Sequence, residues 1–184
     1  MHLGRLTKID LRDVWKSEPT DFTRWLASPE NIALLAEELG LDIAVLEVEA
    51  TVGDFHADIL AQEETSGKKI IIENQLESSD HRHLGQILTY AAGLQAEYIV
   101  WIVRAAREEH QQAIDWLNSH TDESVNLFLV TVELWKIGNS EPAPKFVVLS
   151  RPNNWARAVR SHGNDAGSLT ETKIQQLRFW EQLK

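Results

Sequence analysis

Two apolar runs constrain the fold of this chain more than any other feature. Ile70-Ile71-Ile72 and Tyr98-Ile99-Val100-Trp101-Ile102-Val103 are hydrophobic at consecutive positions. Strands formed there bury both faces, as the central strands of a helix-covered sheet do. Between the runs, residues 79–94 predict a helix, with Asp80 as its N-cap and Gly93 near its end.

The flanking segments complete a mixed pattern. Residues 21–39 predict helix: Phe22, Trp25 and Leu26, then Ile32, Leu35 and Leu39 recur near helical spacing, and Gly40 ends the run. Pro29 divides it in two, with Ser28 capping the second part. Residues 41–51 read as a strand, Gly53-Asp54 as a turn, residues 55–61 as a second strand, Ser66-Gly67 as a turn signal and residues 69–75 as a third strand. Beyond these come a strand at 97–104, a helix at 107–119 and strands at 126–137 and 145–150, the last two joined by a loop holding Gly138, Pro142 and Pro144. The order is helix, three strands, helix, strand, helix, two strands, which predicts a mixed α/β sheet flanked by helices.

The 184 residues suffice for one domain with a substantial core. Residues 1–160 are expected to form it. Residues 163–168 read as a linker, and residues 170–184 restart as a helix whose Ile174, Leu177, Phe179, Trp180 and Leu183 do not belong to the preceding sheet pattern. Residues 161–184 therefore predict a linker and the start of a C-terminal helix, which either opens a truncated second domain or packs on a partner. The absence of cysteine excludes disulfides, thiolate metal sites and a Cys nucleophile. No apolar run approaches the roughly 18 residues of a membrane span, and a cytoplasmic location is the expectation. The net charge of −10 is uneven: residues 1–140 carry 11 Lys+Arg against 24 Asp+Glu, and residues 141–184 carry 7 against 4. Such acidity opposes tight, unassisted binding of nucleic acid.

Within the strands, Asp58 lies in the middle of Phe55-His56-Ala57-Asp58-Ile59-Leu60-Ala61. A carboxylate among buried apolar neighbours is costly unless it is paired or bound to a cation. Glu73 ends the Ile70-Ile71-Ile72 run, and strand alternation puts Gln75 on its face. A hairpin joining the two strands lets Asp58, Glu73 and Gln75 converge; the alternative is a set of strand-end residues facing solvent. In the next helix Leu84, Ile87, Leu88 and Ala91 form an apolar stripe, and His83, Gln86 and Tyr90 a second stripe expected on the opposite side.

Asp58, then Glu73-x-Gln75, then Gln86-x-x-x-Tyr90 resembles the motif series of the PD-(D/E)XK nuclease superfamily, especially its RecB-like branch. The stretches Ile72-Glu73-Asn74-Gln75-Leu76-Glu77 and Asp80-His81-Arg82-His83-Leu84-Gly85-Gln86 are similar to a group of uncharacterised prokaryotic nuclease-like proteins, and residues 170–180 to the opening of the domain that follows in them. The resemblance covers about residues 10–155. It implies a restriction-endonuclease-like αβββαβ core and a Mg²⁺- or Mn²⁺-dependent deoxyribonuclease, in defence or repair, with DNA as partner. It implies Asp58 and Glu73 as metal ligands, and Gln86 and Tyr90 positioning DNA or bracing the site. A further acidic residue from the first helix is expected to complete the site: Glu38, or else Glu37, with Glu47 or Glu49 of the first strand as substitutes. A homodimer follows only by analogy with nucleases that cut both strands. Gln75 departs from the family pattern, where Lys is usual; a neutral amide can hydrogen-bond but carries no charge. The competing expectation is therefore a catalytically inactive nuclease-fold module that binds nucleic acid or a protein.

Other residues carry weaker signals. His81 and His83 diverge by about 200° on a helix and make a poor zinc chelate, whereas His83 facing the cleft near a phosphate is a binding candidate. His110 and His120 read as surface residues. Arg151, Trp155, Arg157 and Arg160 form a basic segment suited to a DNA backbone or to a solvated helix face, and Arg157 is counted among the binding candidates.

Overall fold

A computed structural model describes residues 3–122 and 124–152. Arg157, the basic segment from Trp155 onward, the expected linker and the expected C-terminal helix lie outside the described residues. A seven-stranded mixed sheet runs in the order β1-β6-β5-β4-β3-β2, with β7 also paired to β6. The strands are β1 (Leu6–Ile9), β2 (Ile43–Val52), β3 (Phe55–Glu63), β4 (Lys69–Ser78), β5 (Tyr98–Ala105), β6 (Asn126–Ile137) and β7 (Ala143–Ser150). The helices are α1 (Leu11–Val14), a π-helix at Glu18–Thr23, α2 (Arg24–Leu26), α3 (Pro29–Leu39), α4 (His81–Leu94) and α5 (Glu108–His120). The segment α3-β2-β3-β4-α4-β5 follows the expected αβββαβ order.

The two apolar runs become β4 and β5 at the centre of the sheet, paired in parallel with Ile70 opposite Tyr98 and Glu73 opposite Trp101. Their alternate residues feed two cores. Ile70, Ile72, Val100 and Ile102 pack under Trp15, Phe22, Leu26 and Leu35. Ile71, Ile99, Trp101 and Val103 pack under Ile87 and Ala91 of α4 and Ile114 of α5. Burying both faces gives each such side chain about 1.5–3 kcal/mol of hydrophobic stabilisation.

Three features depart from the expected elements. The first helical segment begins at Glu18 in π form and precedes α2 and α3. Ser28 does cap α3 by position, but its hydroxyl donates to the Trp25 carbonyl and accepts from the Asn31 side chain, not from a backbone N–H of the helix. The short β1 and α1 appear where no element was expected. β1 adds to the β6 edge from Leu6 opposite Ile137 to Ile9 opposite Leu134. An aromatic cluster then fixes the π-helix over the sheet: Trp15 meets Phe22 edge-on at 4.8 Å and Trp25 at 4.7 Å between ring centroids. Thr23 adds a polar tie, its Oγ1 accepting from Asn74 Nδ2 of β4 at 3.0 Å.

Candidate functional site

The site forms where β3 parts from β4. The antiparallel ladder runs from Gln62 opposite Lys69 to Ile59 opposite Ile72. One further step of that register sets Asp58 opposite Glu73. Here the ladder ends and side chains take over the vacated edge of β4. Asp58 Oδ2 accepts the Asn74 N–H at 2.7 Å, and Glu18 Oε2, from the π-helix, accepts the Leu76 N–H. Alternate N–H groups of a strand point the same way, so the two carboxylates sit along one edge about 7 Å apart.

The β2–β3 hairpin is irregular at the same level. The pairs Val48–Ile59 and Ala50–Ala57 bracket Glu49 and Asp58. Ala57 and Ile59, which strict alternation would place on one face, lie in different cores. The crossover coincides with Glu49, whose φ of 56° is left-handed within a strand. That conformation costs a non-glycine residue about 1–2 kcal/mol.

Asp58 and Glu73 are carboxyl groups buried side by side, and burial disfavours the charged form of each. Burial, set against the Asn74 N–H and reinforced by the negative fields of Glu18 and Glu49, pushes Asp58 up to about 7. Burial, with Asp58 next, pushes Glu73 up to about 8, although the Asp58 N–H draws it partly back. Glu73 Oε2 is buried with no hydrogen-bond partner. Burial raises Glu18 as well, opposed by the Leu76 N–H and by His83. Among the described residues, no three or more His, Asp or Glu side chains are gathered into a ready metal cage.

The other expected residues fall differently. Gln75 is buried, but its Nε2 donates to the Ser78 carbonyl at 2.8 Å and to Asp80 Oδ2 at 2.7 Å, while its Oε1 has no partner. Its hydrogen bonds run to Ser78 and Asp80 at the start of α4, and none of them runs to Asp58 or Glu73. Asp80 caps α4 as expected, accepting the His83 N–H at 2.9 Å, and its other oxygen meets His83 Nδ1 at 2.9 Å.

Tyr90 is buried beside Ile87 and Ala91, so its stripe flanks the buried face and is not opposite to it. Gln86 Nε2 approaches the Tyr90 hydroxyl at 3.4 Å. Burial, then the fields of Glu73 and Asp58, raise the Tyr90 phenol, which places it on the carboxylate side of the sheet. Glu38 is exposed on α3, and Glu37 lines a cleft with Leu41, Asp42 and Glu64 at the far end of β2. The acidic neighbours of the pair are instead Glu18 and Glu49. Glu49 was one of the substitutes expected from the first strand; Glu18 had no signal, because its contact spans 58 residues of sequence.

His110 corrects another expectation. It is buried, with Nδ1 2.7 Å from Ser79 Oγ and Nε2 2.7 Å from His81 Nδ1. Burial first, then His81 and Arg107, lower its pKa.

No protein-family model matches the chain, and the curated proteins contain no match. Among solved structures the chain is similar to an EndoMS–dsDNA complex, at 15% identity and a TM-score of 0.38, over 49% of this chain and 41% of that one. It is also similar to a repair endonuclease from Pyrococcus abyssi, at 15% identity and a TM-score of 0.39, over 50% and 43%. The chain thus spans about two-fifths of the length of these structures. At this level of likeness, the functional reading rests on the chain's own residues.

Proposed function

We propose that the chain is a divalent-metal-dependent nuclease that hydrolyses DNA phosphodiester bonds. The observation that carries this reading is the adjacent pair Asp58 and Glu73, two desolvated carboxyl groups raised to about 7 and about 8, with the Glu73 carboxylate accepting the Asp58 N–H and its Oε2 lacking any partner. Hard carboxylate oxygens are the donors that Mg²⁺ and Mn²⁺ prefer, and Mg²⁺ keeps several waters while using one or two carboxylates. Two carboxylates therefore fit such an ion without a preformed cage. When bound, it supplies stabilisation of the negative charge that develops on the phosphoryl oxygens. Asp58 and Glu73 hold and orient it, and Gln86 and Tyr90 wall the site on the α4 side.

A second reading, a non-catalytic module on the same fold, is favoured by one observation. The Gln75 amide is bound to Ser78 and Asp80, so no cationic side chain from that position stands beside the pair. Incubation of supercoiled DNA with the wild-type chain, Asp58→Ala and Glu73→Ala in Mg²⁺ and in Mn²⁺ separates the two. Cleavage by the wild type alone supports the nuclease. Metal-dependent binding without cutting supports the module.

A further inference from the structure

The nuclease reading leaves one chemical task without a residue. Attack by water on phosphorus is fastest when a side chain accepts the water's proton. Asp58 is engaged by the Asn74 N–H, and the Gln75 amide cannot accept a proton at neutral pH.

One imidazole, in the cleft that Glu18 and Gln75 also line, is arranged for the task. His83 lies on the first turn of α4, and Asp80 grips it twice: Oδ1 accepts its backbone N–H at 2.9 Å, and Oδ2 stands 2.9 Å from Nδ1. The same Oδ2 accepts from Gln75 Nε2 at 2.7 Å, which ties the carboxylate to β4. Burial pushes Asp80 up, but the His83 N–H, the His83 ring and the Gln75 amide outweigh it and hold Asp80 at about 2. An ionised carboxylate only accepts hydrogen bonds, so in the neutral ring Nδ1 carries the proton and Nε2 keeps its lone pair. The ring is partly exposed and borders an open cleft of about 580 Å³, shared with Arg12, Glu18, Glu77 and Arg107.

Glu18 connects this cleft to the carboxylate pair. Its field acts on Asp58 and Glu73, and that of His83 acts on Glu18. Arg107 ahead of α5 lines the cleft as a cation for a phosphodiester, and Arg12 of α1 lines it paired to Glu77 at 3.1 Å.

We propose that His83 is the proton-transfer residue of the nuclease site and that Asp80 is its positioning residue; this rests on the nuclease reading above. His83 Nε2 takes a proton from the attacking water as the new P–O bond forms. The bond from phosphorus to the leaving sugar oxygen breaks, its electron pair stays on that oxygen, and the resulting alkoxide takes a proton from solvent. His83 then returns its proton to solvent, so one water is consumed and no other reactant is needed.

The test uses the full chain, supercoiled DNA and Mg²⁺. His83→Gln is expected to lower kcat about hundredfold or more, with KM little changed and with partial rescue by added imidazole, which a merely structural loss would not show. Asp80→Asn retains a helix-capping side chain and is expected to shift the ascending limb of the pH–rate profile. Imidazole ¹⁵N spectra at neutral pH give a readout independent of turnover: the wild type shows the Nδ1–H tautomer of His83, and Asp80→Asn loses that preference. A His83→Gln variant that cuts at the wild-type rate with an unchanged pH profile overturns this proposal and leaves the nuclease reading intact. An Nε2–H tautomer in the wild type also overturns it alone. A wild type that cuts nothing in either metal overturns the nuclease reading, and this proposal with it.

Discussion

Replacing Glu73 by Gln removes one of two buried carboxyl groups that resist ionisation while keeping the shape of the side chain. The folded protein holds the Glu73 proton up to about pH 8, while the unfolded chain releases it near 4.5. Between those values the folded state binds more protons than the unfolded state, so stability falls as pH rises. The penalty is absent below 4.5, grows through the window and is complete above about 8. At about 1.4 kcal/mol per pH unit, the interval sets a ceiling of about 5 kcal/mol. Side-chain relaxation and water entry reduce such penalties, so about 2 kcal/mol is the expected observable. Urea denaturation of metal-free wild type and Glu73→Gln at pH 5, 6.5 and 8 measures it. The wild type is expected to lose stability from pH 5 to 8 with a steeper slope than the variant, and Mg²⁺ is expected to restore the wild type at pH 8 while leaving the variant unchanged. Parallel pH profiles for the two proteins would refute the reasoning, because they would mean that Glu73 is already neutralised by a partner.

Asp58→Asn keeps an oxygen to accept the Asn74 N–H, so it is expected to fold with near wild-type stability while losing cleavage; Asp58→Ala leaves that N–H without its partner and is expected to lose about 1–3 kcal/mol in denaturation as well. Glu38→Ala is expected to leave cleavage unchanged, since Glu38 is exposed on α3, whereas Glu18→Ala frees the Leu76 N–H and lowers both stability and cleavage, as melting curves and the same DNA assay would register. Gly93→Ala sets a Cβ 2.8 Å from Val52 Cγ1, an overpacked contact between α4 and β2 expected to cost about 1–3 kcal/mol of stability by urea denaturation.

The parts of this molecule that the sequence exposed are those governed by local pattern. Continuous apolar runs marked β4 and β5, because burial on both faces leaves no polar position, and Asp80 marked the start of α4, because a cap acts three residues ahead. The approach of Asp58 to Glu73 followed from the hairpin that joins their strands. What escaped depends on contacts between distant segments. Four-residue elements such as β1 and α1 carry too few positions for a period to emerge. Glu18 reaches the β4 edge only because Trp15, Phe22 and Trp25 pack into a cluster that places the π-helix there. Glu has no preference for the left-handed conformation it adopts at Glu49, so nothing local marked it. Gln75 faced the expected side of β4, but sequence spacing could not reveal that Asp80 would compete for its amide. His110 gave no sign of burial, since its partners Ser79 and His81 lie 31 and 29 residues away.

The most direct test is the anomalous diffraction of a Mn²⁺-soaked crystal of the wild-type chain. A single strong peak within about 2.0–2.3 Å of carboxylate oxygens of both Asp58 and Glu73, lost in Asp58→Asn, is the predicted result. A peak bound elsewhere, or a soaked crystal with no ion between those two side chains, would contradict the assignment of the pair as a metal site.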